Sequence, residues 1–170
     1  MVKENIKIIG INPGTRYVGI ALFQGPELWD WRIKVFEGKW TKVKMEKIKE
    51  AILGFIKRYE PDVMAIKKLH PSRSSLNLKK LVAKVKEISR RKGLKICQYS
   101  IKDLESFFNP EEKINKKSLA EVLTSEYSVL SHEFNKEKIN KNAYHIRMFE
   151  AVALAAVCFY QLDRQKYDKE

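Results

Sequence analysis

The chain has 170 residues, of which 44% are hydrophobic and 32% charged, and its formal net charge is +13. This length fits one domain, so a protein built from two domain-sized lobes is excluded, and the apolar content excludes a disordered tail. The longest apolar run, Ala151–Tyr160, is about half the length of a membrane span, so we expect no membrane span. Met1–Asn5 is polar and the short apolar stretch after it ends at Asn12-Pro13, so we expect no secretory signal.

Short apolar runs separated by turn signals predict strands at the start of the chain. The predicted strands are Lys7–Ile11, Tyr17–Phe23 and Leu28–Phe36, with turns at Asn12-Pro13-Gly14-Thr15 and Gly25-Pro26. Two further strands are predicted at Val63–Leu69 and Leu94–Tyr99. The first three strands, joined by short turns, indicate an antiparallel meander.

The apolar period becomes helical after the meander. Helices are predicted at about Thr41–Tyr59, around Leu78–Ile88 with Gly93 as the C-terminal cap, and at Ser100–Phe108, Ser118–Leu130 and Ala143–Leu162. Ser131–Asn142 is predicted to be polar and mobile. The order of elements predicts an α/β fold with a five-stranded mixed sheet, in which two parallel strands extend the meander and helices cover both faces. We expect residues 1–162 to form a single domain and residues 163–170 a charged tail.

The cysteines indicate the redox compartment of the protein, and the net charge indicates the class of its binding partner. Cys97 and Cys158 are far apart in the sequence and have apolar neighbours, which predicts two buried free thiols in a reducing, cytoplasmic compartment. A small domain this basic usually binds a polyanion, most often nucleic acid or an anionic membrane surface. The alternative is that the positive charge serves solubility alone. The high content of Lys and Glu is also common in proteins of thermophiles.

Three segments carry a resemblance to a known family. Ile9–Ala21 reads Ile-Gly-Ile-Asn-Pro-Gly-Thr-Arg-Tyr-Val-Gly-Ile-Ala, which resembles the Gly-Ile-Asp-Pro-Gly-Ser/Thr-Arg opening of the RuvC-like Holliday-junction resolvases. Pro61–Lys67 is similar to that family's Pro-Asp, Ala-Ile-Glu strand, and Glu150–Ala155 to its Asp-Ala-Leu-Ala-Ile-Ala helix. The resemblance spans residues 7 to about 160 and implies an RNase H-like fold. The first turn also resembles the phosphate loop of the actin and sugar-kinase families, which need two lobes.

The resemblance also implies four positions for catalytic carboxylates. In the family these acids hold two Mg²⁺ or Mn²⁺ ions that cleave phosphodiesters, a task that requires clustered oxygen ligands. The positions fall on Asn12, Lys67, Arg147 and Glu150, and strand alternation and helix spacing keep them on shared faces. Their formal charge is +1 instead of −4. We therefore expect no metal cofactor, an ion pair from Glu150 to Lys67 or Arg147, and a catalytically inactive pseudo-nuclease.

Basic residues near these positions are candidates for nucleic-acid contacts. Arg and hydroxyl side chains suit phosphate, and Lys117-Ser118 matches a Lys-Ser pair of the family. The predicted contact residues are Arg16, His70, Arg73, Lys79, Lys80, Lys84 and Lys117. The alternative for the loop at His70–Ser75 is a solvated turn, and for the lysines a solvated helix face.

These features predict a RuvC-like protein that binds branched or structured DNA or RNA without cleaving it, and the resemblance implies a homodimer. One alternative is an active, metal-dependent junction endonuclease with a rearranged site, for which Asp62 is the nearest other acid. The second is a scaffold or assembly protein whose charge reflects a thermophile-like composition.

Overall fold

The structure is a computed structural model that describes residues 5–108, 116–140 and 143–168. The strands are β1 (Lys7–Asn12), β2 (Tyr17–Gln24), β3 (Glu27–Val35), β4 (Val63–Lys67) and β5 (Lys95–Tyr99). The helices are α1 (Lys42–Tyr59), α2 (Leu76–Arg91), α3 (Ile101–Phe108), α4 (Lys116–Glu126), α5 (Ser131–Asn140) and α6 (Ala143–Asp168), with a 3₁₀ turn at Ser128–Leu130.

The five strands form one sheet in the order β3-β2-β1-β4-β5. β2 pairs antiparallel with β1 and with β3, whereas β4 pairs parallel with β1 and β5. This mixed sheet confirms the predicted fold class. Because β1, β4 and β5 run in the same direction, their carboxyl ends meet at one edge, where polar side chains from separate strands come together.

Alternating side chains divide the core between the two faces of the sheet. Ile8 of β1 packs with α6 and the helices α3 to α5, whereas Ile9 and Ile11 pack against α1 and α2. Both helices on the second face begin at a hydroxyl cap, since Thr41 accepts from the Lys44 backbone N–H and Ser75 from that of Leu78. The polar residue that ends β1 thereby faces α6.

Two predicted boundaries in the second half of the chain are wrong. The helix expected at Ser118–Leu130 ends at Glu126 and is followed by the 3₁₀ turn. The segment expected to be mobile, Ser131–Asn142, is the helix α5 as far as Asn140, and residues 141 and 142 lie outside the described residues. Phe134 of α5 is buried in the core beside α4 and α6. One buried side chain in an otherwise polar stretch gives no periodic signal, which explains why the sequence pattern does not reveal this helix.

The last helix, α6, packs across one face of the sheet and contacts β1, β2, β3 and β4. It is longer than predicted, since it continues from Leu162 to Asp168. Its segment His145–Gln165 is apolar and long enough to cross a membrane by composition, but 72% of its most apolar window is buried inside the protein. A helix that covers one face of the sheet accounts for this apolar character without a membrane.

The two cysteines meet between β5 and α6, and both are free thiols. A hydrogen bond with Cys158 lowers the pKa of Cys97, which is half-buried. The same hydrogen bond, together with burial, raises the pKa of Cys158. The two free thiols that the sequence predicts are therefore in contact in the fold, but the prediction that both are buried is wrong for Cys97.

Candidate functional site

Close packing of α6 on β1 and β2 positions the four residues that the sequence predicts to lie together, which are Asn12, Lys67, Arg147 and Glu150. A Cβ at Gly10 would lie 2.2 Å from the Ala151 carbonyl oxygen, and one at Gly19 would lie 2.2 Å from the Arg147 carbonyl oxygen. Only glycine permits this approach of helix and sheet backbones. Gly19 is paired with Asn12 across the β1–β2 ladder, so the helix crosses the sheet where β1 ends.

Asn12 and Glu150 form the buried part of the site. Their side chains are 0% and 1% exposed. The Asn12 amide donates from Nδ2 to Glu150 Oε1 at 3.0 Å and to the Arg147 carbonyl oxygen at 3.3 Å. Both partners are acceptors, so the site needs a donor at this position. A carboxylate in place of the Asn12 amide would face two oxygen atoms with no proton to share.

Lys67 supplies the positive charge that balances Glu150. Its Nζ lies 2.9 Å from Glu150 Oε1. The Lys67 side chain is 19% exposed, so its ammonium lies between the buried carboxylate and the solvent. The expectation that Glu150 pairs with Lys67 or Arg147 is resolved in favour of Lys67. Glu150 Oε1 is both hydrogen-bonded and paired, which offsets part of the cost of keeping this charge away from water.

Arg147 contacts the other side of the Asn12 amide. Its Nη1 donates to the Pro13 carbonyl oxygen at 3.1 Å and to Asn12 Oδ1 at 3.5 Å. Gly14 leaves room for the guanidinium, because a Cβ there would lie 3.1 Å from Nη1. The β1–β2 turn therefore orients Arg147, and the four positions are in one place, as the sequence predicts.

These residues do not fit a pair of divalent cations. Where four carboxylate ligands would be needed, the site has one carboxylate, one amide and two cations. A dication 4 Å from the Lys67 ammonium would be repelled by about 8 kcal/mol at an effective dielectric constant of 20. Within the described residues there is no group of three or more His, Cys, Asp or Glu side chains arranged to hold a metal ion.

Asp62, the alternative acid, lies elsewhere. It precedes β4, whereas Lys67 ends that strand. Its carboxylate accepts a hydrogen bond from the Lys7 backbone N–H at 3.0 Å. Asp62 therefore holds the start of β1, at the end of the strands opposite to Asn12 and Lys67. Its carboxylate is too far from these residues to act as a metal ligand beside them.

A cavity of about 360 Å³ opens beside the Asn12–Glu150 cluster. Its walls are the β1–β2 turn, the end of β4, α6 and the loop before α2, with Lys67, His70, Arg73 and Arg147 in the lining. We call it the cationic cavity, because the described residues of its lining have three formal positive charges and include no acid. Arg73 is exposed, and His70 Nδ1 accepts the backbone N–H groups of Ser72 and Arg73 at 3.2 Å. His70 therefore holds the loop in its conformation through Nδ1.

A second cavity of about 580 Å³ adjoins the first, since Thr15 and Ser75 line both. We call it the aromatic cavity, because Phe36 and Trp40 lie in its wall beside Arg16. Arg16 is exposed, and its guanidinium lies 5.2 Å from the centre of the Tyr17 ring.

Phe36 and Trp40 are not among the site residues predicted from the sequence. The available signal was two aromatic residues close to Lys34, Lys39 and Lys42, between the third strand and the first helix.

The predicted lysines of α2 extend the basic surface along that helix. Lys79, Lys80 and Lys84 are exposed. Lys79 Nζ donates to the Pro71 carbonyl oxygen at 2.6 Å, and Lys84 lies 4.0 Å from Glu87. Lys79 therefore braces the loop beside the cationic cavity. The side chain of Lys117, the remaining predicted contact, falls outside the described part of the chain.

No protein-family profile and no curated protein matches the sequence. Solved structures do match the fold. The chain is similar to Thermus thermophilus RuvC in complex with a Holliday-junction substrate, with a TM-score of 0.70 and 14% identity over 92% of this chain and 95% of RuvC. It is also similar to the fowlpox virus resolvase in complex with Holliday-junction DNA, with a TM-score of 0.61 and 16% identity over 92% of this chain and 99% of the resolvase. The protein therefore has a RuvC-like, RNase H-like fold.

Proposed function

We propose that this RuvC-like protein binds branched DNA and does not cleave it. The observation that carries the proposal is the Lys67–Glu150 ion pair, whose ammonium and carboxylate lie 2.9 Å apart at two positions where the resemblance implies metal-binding acids. With Asn12 and Arg147 at the other two positions, the site favours an anion over a cation.

The surface around the site has the charge that DNA requires. The chain has a net charge of +13, and the cationic cavity joins the exposed lysines of α2. Cations spread over a cavity and a helix can contact several phosphates, and each contact releases condensed counterions. Two proteins of the same fold, Thermus thermophilus RuvC and the fowlpox virus resolvase, form complexes with Holliday-junction DNA. A surface that contacts phosphates by position distinguishes nucleic acids by shape rather than by sequence.

We also propose that the protein is a cytoplasmic homodimer. A four-way junction has approximate two-fold symmetry, so two copies of one binding surface can contact it in equivalent ways. Mass measurement by light scattering, for the free protein and for its complex with a junction, tests this part of the proposal. A monomer in both states would contradict it.

The test of the main proposal uses one set of nucleic acids in one assay. A four-way junction, a duplex of the same sequence, single-stranded DNA and a structured RNA are titrated with protein, in EDTA and in Mg²⁺ or Mn²⁺, and the strands are then separated under denaturing conditions. We expect the junction to bind most tightly, the affinity to fall steeply with salt, and every strand to remain intact. Arg73→Gln is expected to weaken junction binding, whereas Lys57→Gln, an exposed change on α1, serves as the matched control.

Two outcomes would overturn this proposal. Cleavage that depends on a divalent metal and is abolished by Glu150→Gln would identify an active endonuclease with a rearranged site. Failure to bind any of the nucleic acids at moderate salt would favour a scaffold protein whose charge reflects composition.

A further inference from the structure

The cationic and aromatic cavities together have the dimensions and chemistry of a nucleotide site. Their volumes are about 360 and 580 Å³, within the range of small-molecule sites in proteins. Thr15 of the β1–β2 turn and Ser75 before α2 line both cavities, so a ligand with two chemically distinct parts can occupy both at once. Such a ligand would have an anionic group for the cationic cavity and a flat apolar ring for the aromatic cavity.

The cationic cavity is suited to a single phosphate. The Arg147 guanidinium is held by the Pro13 carbonyl oxygen at 3.1 Å, and the Lys67 ammonium by Glu150 at 2.9 Å. Both cations are therefore fixed before a ligand arrives, which limits the side-chain entropy lost on binding. Arg73 adds an exposed guanidinium from the facing loop. Charge-assisted hydrogen bonds from arginine are the strong contacts that proteins make to phosphate.

The aromatic cavity is suited to a nucleobase. Phe36 and Trp40 pack partly against the core and leave the rest of their surface in the cavity wall. The Phe36 backbone N–H donates to the Arg16 carbonyl oxygen at 2.7 Å, so the end of β3 is tied to the β1–β2 turn and the two cavities keep a fixed spacing. Asn77 adds an amide to the lining, which can pair with the edge of a base.

The distribution of charge gives the site a direction. Among the described residues that line the aromatic cavity, Arg16 and Lys44 outweigh Glu37, which gives a formal charge of +1. The described lining of the cationic cavity has a formal charge of +3, so a phosphate is attracted more strongly to the end formed by Lys67 and Arg147. The phosphate of a bound nucleotide would lie between β4 and α6, and its base would lie towards Trp40.

We propose that the two cavities form one binding site for an unpaired nucleotide of DNA, with its phosphate in the cationic cavity and its base against Phe36 and Trp40. The proposal rests on the proposed function, because it names the part of a branched DNA that this site takes. A base inside a duplex is stacked on both faces and cannot reach an aromatic wall, whereas an unstacked base at a branch or in a single strand can. The site binds this nucleotide without a divalent ion.

The experiment measures binding of a short single-stranded oligodeoxynucleotide in EDTA, with and without one abasic position, by tryptophan fluorescence and by anisotropy. Trp40→Leu is expected to weaken binding by about 5- to 150-fold, the range for loss of one base–aromatic stack. The abasic position is expected to weaken binding to the wild type and to have little further effect on Trp40→Leu. Arg147→Gln should weaken binding to both oligonucleotides equally, since it acts on the phosphate.

Controls separate this site from general effects. Trp29→Leu removes a tryptophan that is 56% exposed and lies outside both cavities, and it should leave affinity unchanged. Trp40→Phe keeps an aromatic ring and should restore most of the binding lost in Trp40→Leu. If Trp40→Leu does not fold, as judged by circular dichroism, the abasic comparison on the wild type and on Trp40→Phe carries the test.

Specific results would overturn the inference. Equal binding of intact and abasic oligonucleotides would show that the base does not bind in the aromatic cavity. Tighter binding of the matching oligoribonucleotide would assign the site to RNA, and equally tight binding of a free deoxynucleoside monophosphate would assign it to a small ligand. Tight junction binding that Trp40→Leu does not alter would refute this inference and leave the proposed function intact. Single-strand binding of the expected pattern with no junction preference would refute the proposed function alone.

Discussion

Replacement of Lys67 by methionine tests the charge arrangement at the centre of the site. Methionine keeps an unbranched chain of similar reach and removes the ammonium group. The Glu150 carboxylate, which is 1% exposed, then loses its cation at 2.9 Å and keeps the Asn12 amide donor at 3.0 Å. A buried carboxylate without its cation has lost much of the interaction that offsets its desolvation.

The expected size of the effect follows from this geometry. Removing one partner of a buried ion pair costs about 3–5 kcal/mol. The Lys67 side chain is 19% exposed and Asn12 still donates to Glu150, so we expect the lower end, about 3 kcal/mol in the free energy of unfolding. For a domain of this size each kcal/mol lowers Tm by about 2–4 °C, which gives a loss of about 6–12 °C.

Denaturant titration followed by circular dichroism measures the effect in a double-mutant cycle with Glu150→Gln. The double variant Lys67→Met, Glu150→Gln is expected to be more stable than Lys67→Met alone, because it leaves no unpaired buried charge. Glu87 and Arg91 on α2 form an exposed pair, at 47% and 71% exposure, and provide the control cycle with a coupling below about 0.5 kcal/mol. A loss below about 1 kcal/mol in Lys67→Met, or no coupling to Glu150, would refute the reasoning.

Three further predictions concern the core and the thiol pair. Asn12→Asp places a carboxylate 3.0 Å from Glu150 Oε1 and should lower stability by about 1–3 kcal/mol; the loss in denaturant titrations should shrink in acid, where a protonated Asp can donate. Gly19→Ala puts a Cβ 2.2 Å from a carbonyl oxygen of α6, and the variant should lower Tm by several degrees or more because two backbones must separate. The lowered pKa of Cys97, caused first by the hydrogen bond with Cys158, predicts alkylation by iodoacetamide at a lower pH than an ordinary thiol. Cys158→Ala should move that profile, followed by mass spectrometry, to higher pH, and an unchanged profile would contradict this cause.

The sequence predicted the strands and the faces of the sheet well because these depend on local patterns. Alternation along β1 and β4 places Asn12 and Lys67 on the α6 face, as expected, since a strand side chain has only two directions available. The turn signals likewise separate β1, β2 and β3 at the right places. The shared face of Arg147 and Glu150 follows from helix spacing in the same way.

Other features depend on contacts that a single segment does not encode. The sequence does not decide whether Glu150 pairs with Lys67 or with Arg147, because the rotation of α6 over the sheet decides it. Glycine packing against the helix backbone sets that rotation. The aromatic cavity depends on the hydrogen bond that joins Phe36 to Arg16, which is a contact between separate strand ends. The α5 helix depends on burial against its neighbours rather than on its own polar sequence.

The measurement that tests the central claim most directly is the dissociation constant of a four-way junction in EDTA, followed by addition of Mg²⁺. If the cations at Lys67 and Arg147 bind phosphate in place of metal ions, the junction binds tightly in EDTA and Mg²⁺ leaves the affinity unchanged or lowers it by competition for phosphate. Arg147→Gln then weakens binding under both conditions. Binding that appears or tightens only when Mg²⁺ is added would contradict the account, because it would mean that a metal ion still joins this site to DNA.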